Sequence, residues 1–195
     1  PEVFGINNWI RSFSKKLAKQ NIPVLALPLY GRTAPKLDLG YNEEDLKLGR
    51  HHKNLTTSKN IIKDVSAAIN WVKEKYPQKK ISIIGFCFGG YAALIASSLK
   101  EIESTFCFYG AGVITPSPDN NFAPIDLIEK VSGKLNFICG SSDDLIPLRD
   151  RLEIKKRFKK VDPLEERFFY IEVEGADHGF MCEERESLDR KSTRL

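Results

Sequence analysis

No apolar run in these 195 residues approaches the roughly 20 needed to span a bilayer, so a membrane-spanning helix, and a membrane partner with it, is not expected. The stretch from Pro1 to Trp9 lacks the basic start and apolar run of a signal peptide. The chain opens on a proline with no initiating methionine, so upstream sequence, including any targeting signal, is expected to be missing. A basic stripe interleaved with aromatics is also absent, which argues against a nucleic-acid partner. The net charge of +4 is spread along the chain, and its one dense run, Lys155-Lys156-Arg157 with Lys159-Lys160, reads as the solvated face of a helix. Cysteine is scarce: Cys87, Cys107, Cys139 and Cys182 stand far apart, with no zinc-knuckle or redox-dithiol spacing. A chain of this size does not need disulfide staples, and the pattern suits a reducing cytoplasm. Cys107 and Cys139 lie inside apolar runs and read as small core residues. No Gly-Lys-Ser/Thr follows a glycine-rich turn, so a phosphate loop is a poor match.

What is present is ordinary for one globular domain covering residues 1–195: 42% hydrophobic, 10% aromatic and 29% charged. Short apolar runs alternate with amphipathic stretches, which predicts a mainly parallel sheet with helices on both faces, an α/β fold. The candidate strands are Ile22 to Pro28, Ile81 to Phe86, Ser104 to Tyr109, Leu135 to Gly140 and Arg167 to Val173. Helical spacing predicts helices over Asn8 to Lys19, Ser58 to Lys75, Gly89 to Leu99 and Leu148 to Phe158. Residues 33–57 break the alternation. They are polar, contain Pro35 and Gly40, and carry Arg50-His51-His52-Lys53, so they read as an irregular loop or cap.

The second apolar run leads straight into Gly85-Phe86-Cys87-Phe88-Gly89-Gly90 and an Ala-rich stretch. A sharp strand-to-helix turn needs small residues on both sides of its apex, and glycines stand two before and two after Cys87, as in a G-x-S-x-G nucleophile elbow with Cys for Ser. At such an apex the following helix amino end favours a thiolate, and the Phe88 amide is placed to face a developing oxyanion. A free thiol of pKa about 8.5 is only a few per cent ionised at pH 7, so a base must assist. Taken alone, the motif equally describes a structural cysteine packed between glycines.

Its partners follow in order. The run ending at Cys139 passes into Gly140-Ser141-Ser142-Asp143-Asp144, and the run ending at Val173 into Glu174-Gly175-Ala176-Asp177-His178-Gly179-Phe180. Both place polar groups at the carboxyl edge of the sheet, where catalytic groups gather in open α/β folds. Nucleophile, acid, histidine is the chain order of α/β-hydrolases. His178 is the one of three histidines that follows a strand in this way, and it would take the thiol proton and later protonate the leaving alkoxide. Spacing leaves Asp143 and Asp144 as rival acids.

With these residues in hand, the sequence resembles the dienelactone hydrolase (carboxymethylenebutenolidase) family of the α/β-hydrolase superfamily. The likeness runs through Glu2-Val3-Phe4-Gly5, Pro28-Leu29-Tyr30-Gly31-Arg32, the Cys87 turn, Phe108-Tyr109-Gly110, Gly140-Ser141-Ser142-Asp143 and Gly175 to Phe180. The resemblance implies a triad of Cys87, Asp143 and His178, with the Gly-x-x-Asp spacing from Gly140 selecting Asp143. It also implies that Glu2 interacts with the nucleophile and helps form its thiolate, and that Val3 supplies a second oxyanion amide beside Phe88. Tyr30, Tyr109 and Arg50 are the substrate-contact candidates, Arg50 as a carboxylate-binding arginine.

Three departures accompany it. The family has strands before its Glu-x-Phe-Gly loop, so this chain is expected to lack the amino-terminal strands, and Glu183 to Leu195 would begin rather than complete a terminal helix. The family arginine four residues after the catalytic histidine is here Cys182. The 33–57 segment does not align cleanly. The expected substrate is accordingly a small carboxylic ester or lactone in general, cleaved through an acyl-cysteine with no metal or organic cofactor, by a monomer or weak homodimer. The alternatives are a non-catalytic ligand-binding homologue, or a thioesterase or acyltransferase using the same triad.

Overall fold

The computed structural model describes residues 1–117, 119 and 122–184. In chain order the elements are α1 (Asn8–Ala18), α2 (Glu43–Asn54), α3 (Ser58–Lys75), β1 (Ile81–Phe86), α4 (Phe88–Ala96) and β2 (Ile102–Phe108). A 3₁₀ segment (Pro124–Lys130), β3 (Lys134–Gly140), α5 (Leu148–Val161) and β4 (Phe168–Val173) follow. The four strands form one parallel sheet in the order β1-β2-β3-β4. Its register sets Phe86 opposite Phe108, Phe108 opposite Ile138, and Gly140 opposite Val173. All four strands therefore end at one edge, and each hands its chain to a turn there. This is the parallel α/β architecture the alternation predicts.

The residues explain the elements. In α1 the Asn7 side chain accepts the Ile10 amide at 3.3 Å, and Trp9 and Ile10 turn into the core. In α3 Thr57 caps the amino end, and Ile61, Val65 and Ile69 recur at helical spacing on its buried stripe. Helix α4 is buried from Phe88 to Ala96 apart from Tyr91, as its apolar composition dictates. The central strands supply Cys107, Leu135, Phe137 and Cys139, all fully buried. The basic run lies on α5, where Lys155, Lys156 and Lys159 face solvent and pair with Glu172, Glu153 and Glu165. Among the described residues no helix is long and apolar enough to cross a membrane.

Two expectations are corrected. Ile22 to Pro28 joins no ladder, so the sheet has four strands where the sequence predicts five. Pro23–Leu27 and Ile81–Ile84 line one cavity of about 470 Å³, and Ile22, Val24 and Leu25 remain substantially exposed. An apolar run becomes a strand only where a partner accepts its backbone bonds. The 33–57 segment, read as irregular, contains α2. Asn42 accepts the Asp45 amide at 2.8 Å, Glu43, Glu44 and Asp45 fill the first turn, and His51, His52 and Lys53 fill the last. Both ends thus complement the helix dipole. Smaller differences are at boundaries: α4 stops at Ala96, α5 continues to Val161, and β2 begins at Ile102 and ends before Tyr109. The expected terminal helix lies, beyond Glu184, outside the described residues.

Candidate active site

At the carboxyl end of β1 the chain reverses from strand to helix through Cys87, at φ 54° and ψ −116°. A positive φ at a residue with a Cβ costs on the order of 1–3 kcal/mol and persists only where neighbours impose it. They do so here. The Cys87 amide donates to the Phe108 carbonyl at 3.0 Å, and the Cys87 carbonyl accepts the Tyr91 amide at 3.1 Å. A Cβ on Gly85 would stand 1.9 Å from the Gly89 carbonyl oxygen, and one on Gly89 would stand 2.0 Å from that of Pro1. The two glycines are therefore required by close backbone approach, one to close the turn and one to admit the first residues of the chain. Cys87 is half-buried and is the least buried of the four free cysteines.

The acid and the histidine come from the turns after β3 and β4. These turns are stitched together: the Gly175 amide donates to Ser141 Oγ at 2.8 Å and the Ser142 amide to the Ala176 carbonyl at 3.0 Å. Across this seam His178 Nδ1 meets Asp143 Oδ2 at 2.9 Å, while Asp143 Oδ1 accepts the Leu145 amide at 2.9 Å. Both side chains are buried, whereas Asp144 is exposed, so the geometry separates the two adjacent carboxylates. Tyr109, fully buried at φ 37°, sets its ring edge-on to the imidazole at 5.2 Å. Nε2 of His178 is buried and forms no hydrogen bond among the described residues. Burial opposes charge on this ring, but Asp143 and then Cys87 overcome it and raise its pKa from 6.5 to about 10. The pocket thus stabilises the charged form that the ring takes on when it accepts a proton.

The other candidates surround this group in different ways. Glu2 is 1% exposed. Phe88 opens α4, and its ring stacks on Tyr30 at 5.9 Å. Tyr30 donates to the Val3 carbonyl at 3.1 Å, and burial, then the charge of Cys87, pushes its phenol above the ordinary range. Arg50 is different: it is exposed on α2 and makes no hydrogen bond or ion pair among the described residues. The sequence reading missed the contacts of Cys182, which is buried with Sγ 3.1 Å from the Tyr41 hydroxyl; that hydroxyl also receives Asn7 Nδ2 at 2.9 Å. It missed Gly49 as well, although a glycine midway along a polar helix was a visible signal of close approach.

A charge-stabilised thiol–imidazole–carboxylate arrangement of this kind supports nucleophilic acyl chemistry. Comparison with known proteins points the same way. The sequence pattern of the dienelactone hydrolase family matches residues 1–195. A Synechocystis sp. protein provisionally named carboxymethylenebutenolidase is 33% identical over 193 residues, covering 98% of this chain and 77% of that one. The carboxymethylenebutenolidase of Pseudomonas putida is 24% identical over 183 residues, covering 92% and 72%. A Klebsiella pneumoniae crystal structure, provisionally assigned as a dienelactone hydrolase, superposes with a TM-score of 0.80 at 19% identity, covering 95% of this chain and 76% of that one. That last likeness speaks to the fold alone.

Proposed function

The chain belongs to the dienelactone hydrolase family and is a hydrolase of ester or lactone bonds, and from that premise we propose that it works through an acyl-cysteine formed on Cys87. The observation that carries this reading is the 2.9 Å bond between Asp143 and His178, on a ring whose basicity Cys87 also raises. His178 takes the proton from Cys87 Sγ, and the sulfur attacks the carbonyl carbon of a carboxylic ester or lactone. The amides of Phe88 and Val3 hold the oxyanion. The tetrahedral adduct collapses, the C–O bond breaks, and the leaving alkoxide takes the proton from His178. Water, deprotonated by His178, then attacks the thioester, releasing the acid and restoring the thiol. Asp143 keeps the imidazole oriented and supports its charged form.

Glu2 is assigned the activation of the thiol, a role supported by its burial. Tyr109 holds the imidazole in place, and Tyr30 is a wall of the substrate space. Arg50 has no support as a substrate contact in the present arrangement. Cys182, buried against Tyr41, offers no cation to a substrate carboxylate, which favours esters and lactones broadly over one anionic lactone. A reducing cytoplasm would keep Cys87 in its working thiol form.

Replacing Cys87 by Ala tests the reading. Hydrolysis of an activated aryl ester should fall by at least about 10³-fold, while the circular-dichroism spectrum and melting curve remain close to wild type. An acyl adduct should be found by intact mass on rapidly quenched wild-type enzyme and be lost in the variant. Full turnover by Cys87→Ala would overturn the assignment.

A further inference from the structure

The two amides of the oxyanion hole are held by different means. That of Phe88 is the first of a buried helix. That of Val3 belongs to a four-residue loop, Glu2-Val3-Phe4-Gly5, whose packing is set by the 33–57 segment and the turn before it. Val3 and Phe4 are buried with Leu39 in a small apolar cluster of their own, against Leu37, Tyr41 and Leu46, apart from the main core. The Phe4 ring meets Tyr41 edge-on at 4.8 Å, and the Phe4 carbonyl accepts the Leu39 amide at 3.4 Å. The Val3 N–H shares its peptide plane with the Glu2 carbonyl, which accepts the Gly5 amide at 3.3 Å. The next plane carries the Val3 carbonyl. Tyr30 Oη donates to it at 3.1 Å, and α2 presses on it so closely that a Cβ on Gly49 would stand 2.3 Å from the oxygen and 3.2 Å from the carbon. Tyr30 also stacks on the ring of Phe88, so one side chain touches both residues that carry the amides.

We propose that Tyr30 and Gly49 are positioning residues that set the Val3 amide against the oxyanion, which makes helix α2 a working part of the site. Fixing the planes on both sides of Val3 fixes its φ and ψ, and hence the direction of its N–H. The inference rests on the acyl-cysteine reading. It also separates two effects that usually coincide. Gly→Ala favours a helix interior by about 1 kcal/mol, so Gly49→Ala strengthens α2 intrinsically while driving a methyl group onto the Val3 carbonyl.

The test uses the whole chain and an activated aryl ester. Gly49→Ala and Tyr30→Phe should each lower kcat by about 10–100-fold, short of the 10²–10³ for complete loss of a donor, with KM changed less than kcat. Alkylation of Cys87 by iodoacetamide forms no oxyanion, so its rate should stay within about two-fold of wild type under that mechanism. Tyr30→Phe keeps the ring stack and removes only the O–H, and it stands as the deciding variant if Gly49→Ala does not fold. Wild-type kcat in Tyr30→Phe, or alkylation slowed as much as turnover, would overturn the proposal. Turnover surviving in Cys87→Ala would instead remove the acyl-cysteine reading beneath it, so the two failures are distinguishable.

Discussion

The edge of the sheet and the loop at Glu2–Gly5 bring groups to the same place, but by different kinds of support. Cys87, Asp143 and His178 sit at the ends of β1, β3 and β4, and their backbones continue ladders whose register is fixed over six or seven residues each. Val3 has no such ladder. It is held by isolated bridges between Glu2 and Gly5 and between Gly5 and Asp38, by one tyrosine hydroxyl, and by the flank of α2. A sheet edge distributes an error over many bonds, whereas a loop clamped by a few contacts passes it directly to the amide it carries. The proposed nucleophile, base and acid, which would need a strict relation to one another, are therefore built on the sheet. In the mechanism proposed above, the Val3 amide, which would match a shape present only in the transition state, is left to the more adjustable part.

The contrast can be broken from the sheet side first. Asp143→Asn removes the principal partner that sustains charge on His178 and should cost on the order of 10²–10⁴ in kcat/KM, read with the same aryl ester. It also carries a pH signature. The pKa of His178 is raised from 6.5 to about 10 in the folded state, so its stabilising contribution is complete below pH 6.5 and is lost as pH rises through about 10. The melting temperature of wild type should exceed that of Asp143→Asn most below pH 6.5, with the difference narrowing towards pH 10. A difference that does not depend on pH would remove the charged imidazole from the account.

Gly85→Ala strikes the elbow itself. Its methyl group would have to displace the Gly89 carbonyl now 1.9 Å away, and both atoms belong to backbone, so the expected loss is about 3 kcal/mol. A drop of roughly 6–12 °C in Tm should accompany it. The smallest effect is reserved for the cap. Asn42→Ala deletes the side chain that accepts the Asp45 amide at the start of α2, for about 1 kcal/mol. If α2 belongs to the site, kcat should fall slightly in Asn42→Ala, whereas a comparably destabilising change on another helix, Thr57→Ala at the cap of α3, should leave it unchanged. Equal kcat in the two variants would confine α2 to a structural role.

Much of the fold was legible because parallel strands and their helices announce themselves by local pattern. Four of the five predicted strands, and α1, α3, α4 and α5, follow the period of their apolar residues. Cys87 was legible because a strand-to-helix reversal constrains residues two before and two after it, and His178 because it follows a strand directly. Local pattern failed where the outcome depended on a distant partner. Ile22 to Pro28 has a strand's composition, yet strand formation requires a neighbour that accepts its backbone bonds, and the four-stranded sheet does not include it. Residues 43–54 looked irregular because Gly49 and the charges break the apolar stripe, yet the glycine is there to let the helix lie on Val3.

By itself, then, the order of residues determined a parallel α/β sheet, a cysteine at a tight turn, and an acid and a histidine at the ends of later strands. Each of these is a property of a short stretch of chain and follows from sterics and periodicity within it. Only the tertiary structure decided that Asp143 rather than Asp144 reaches His178, that Arg50 faces solvent, and that Tyr30 and Gly49 close on the carbonyl of Val3. Those are contacts between stretches remote in sequence, set by how the turns and α2 pack together, and no local pattern encodes a distance between them.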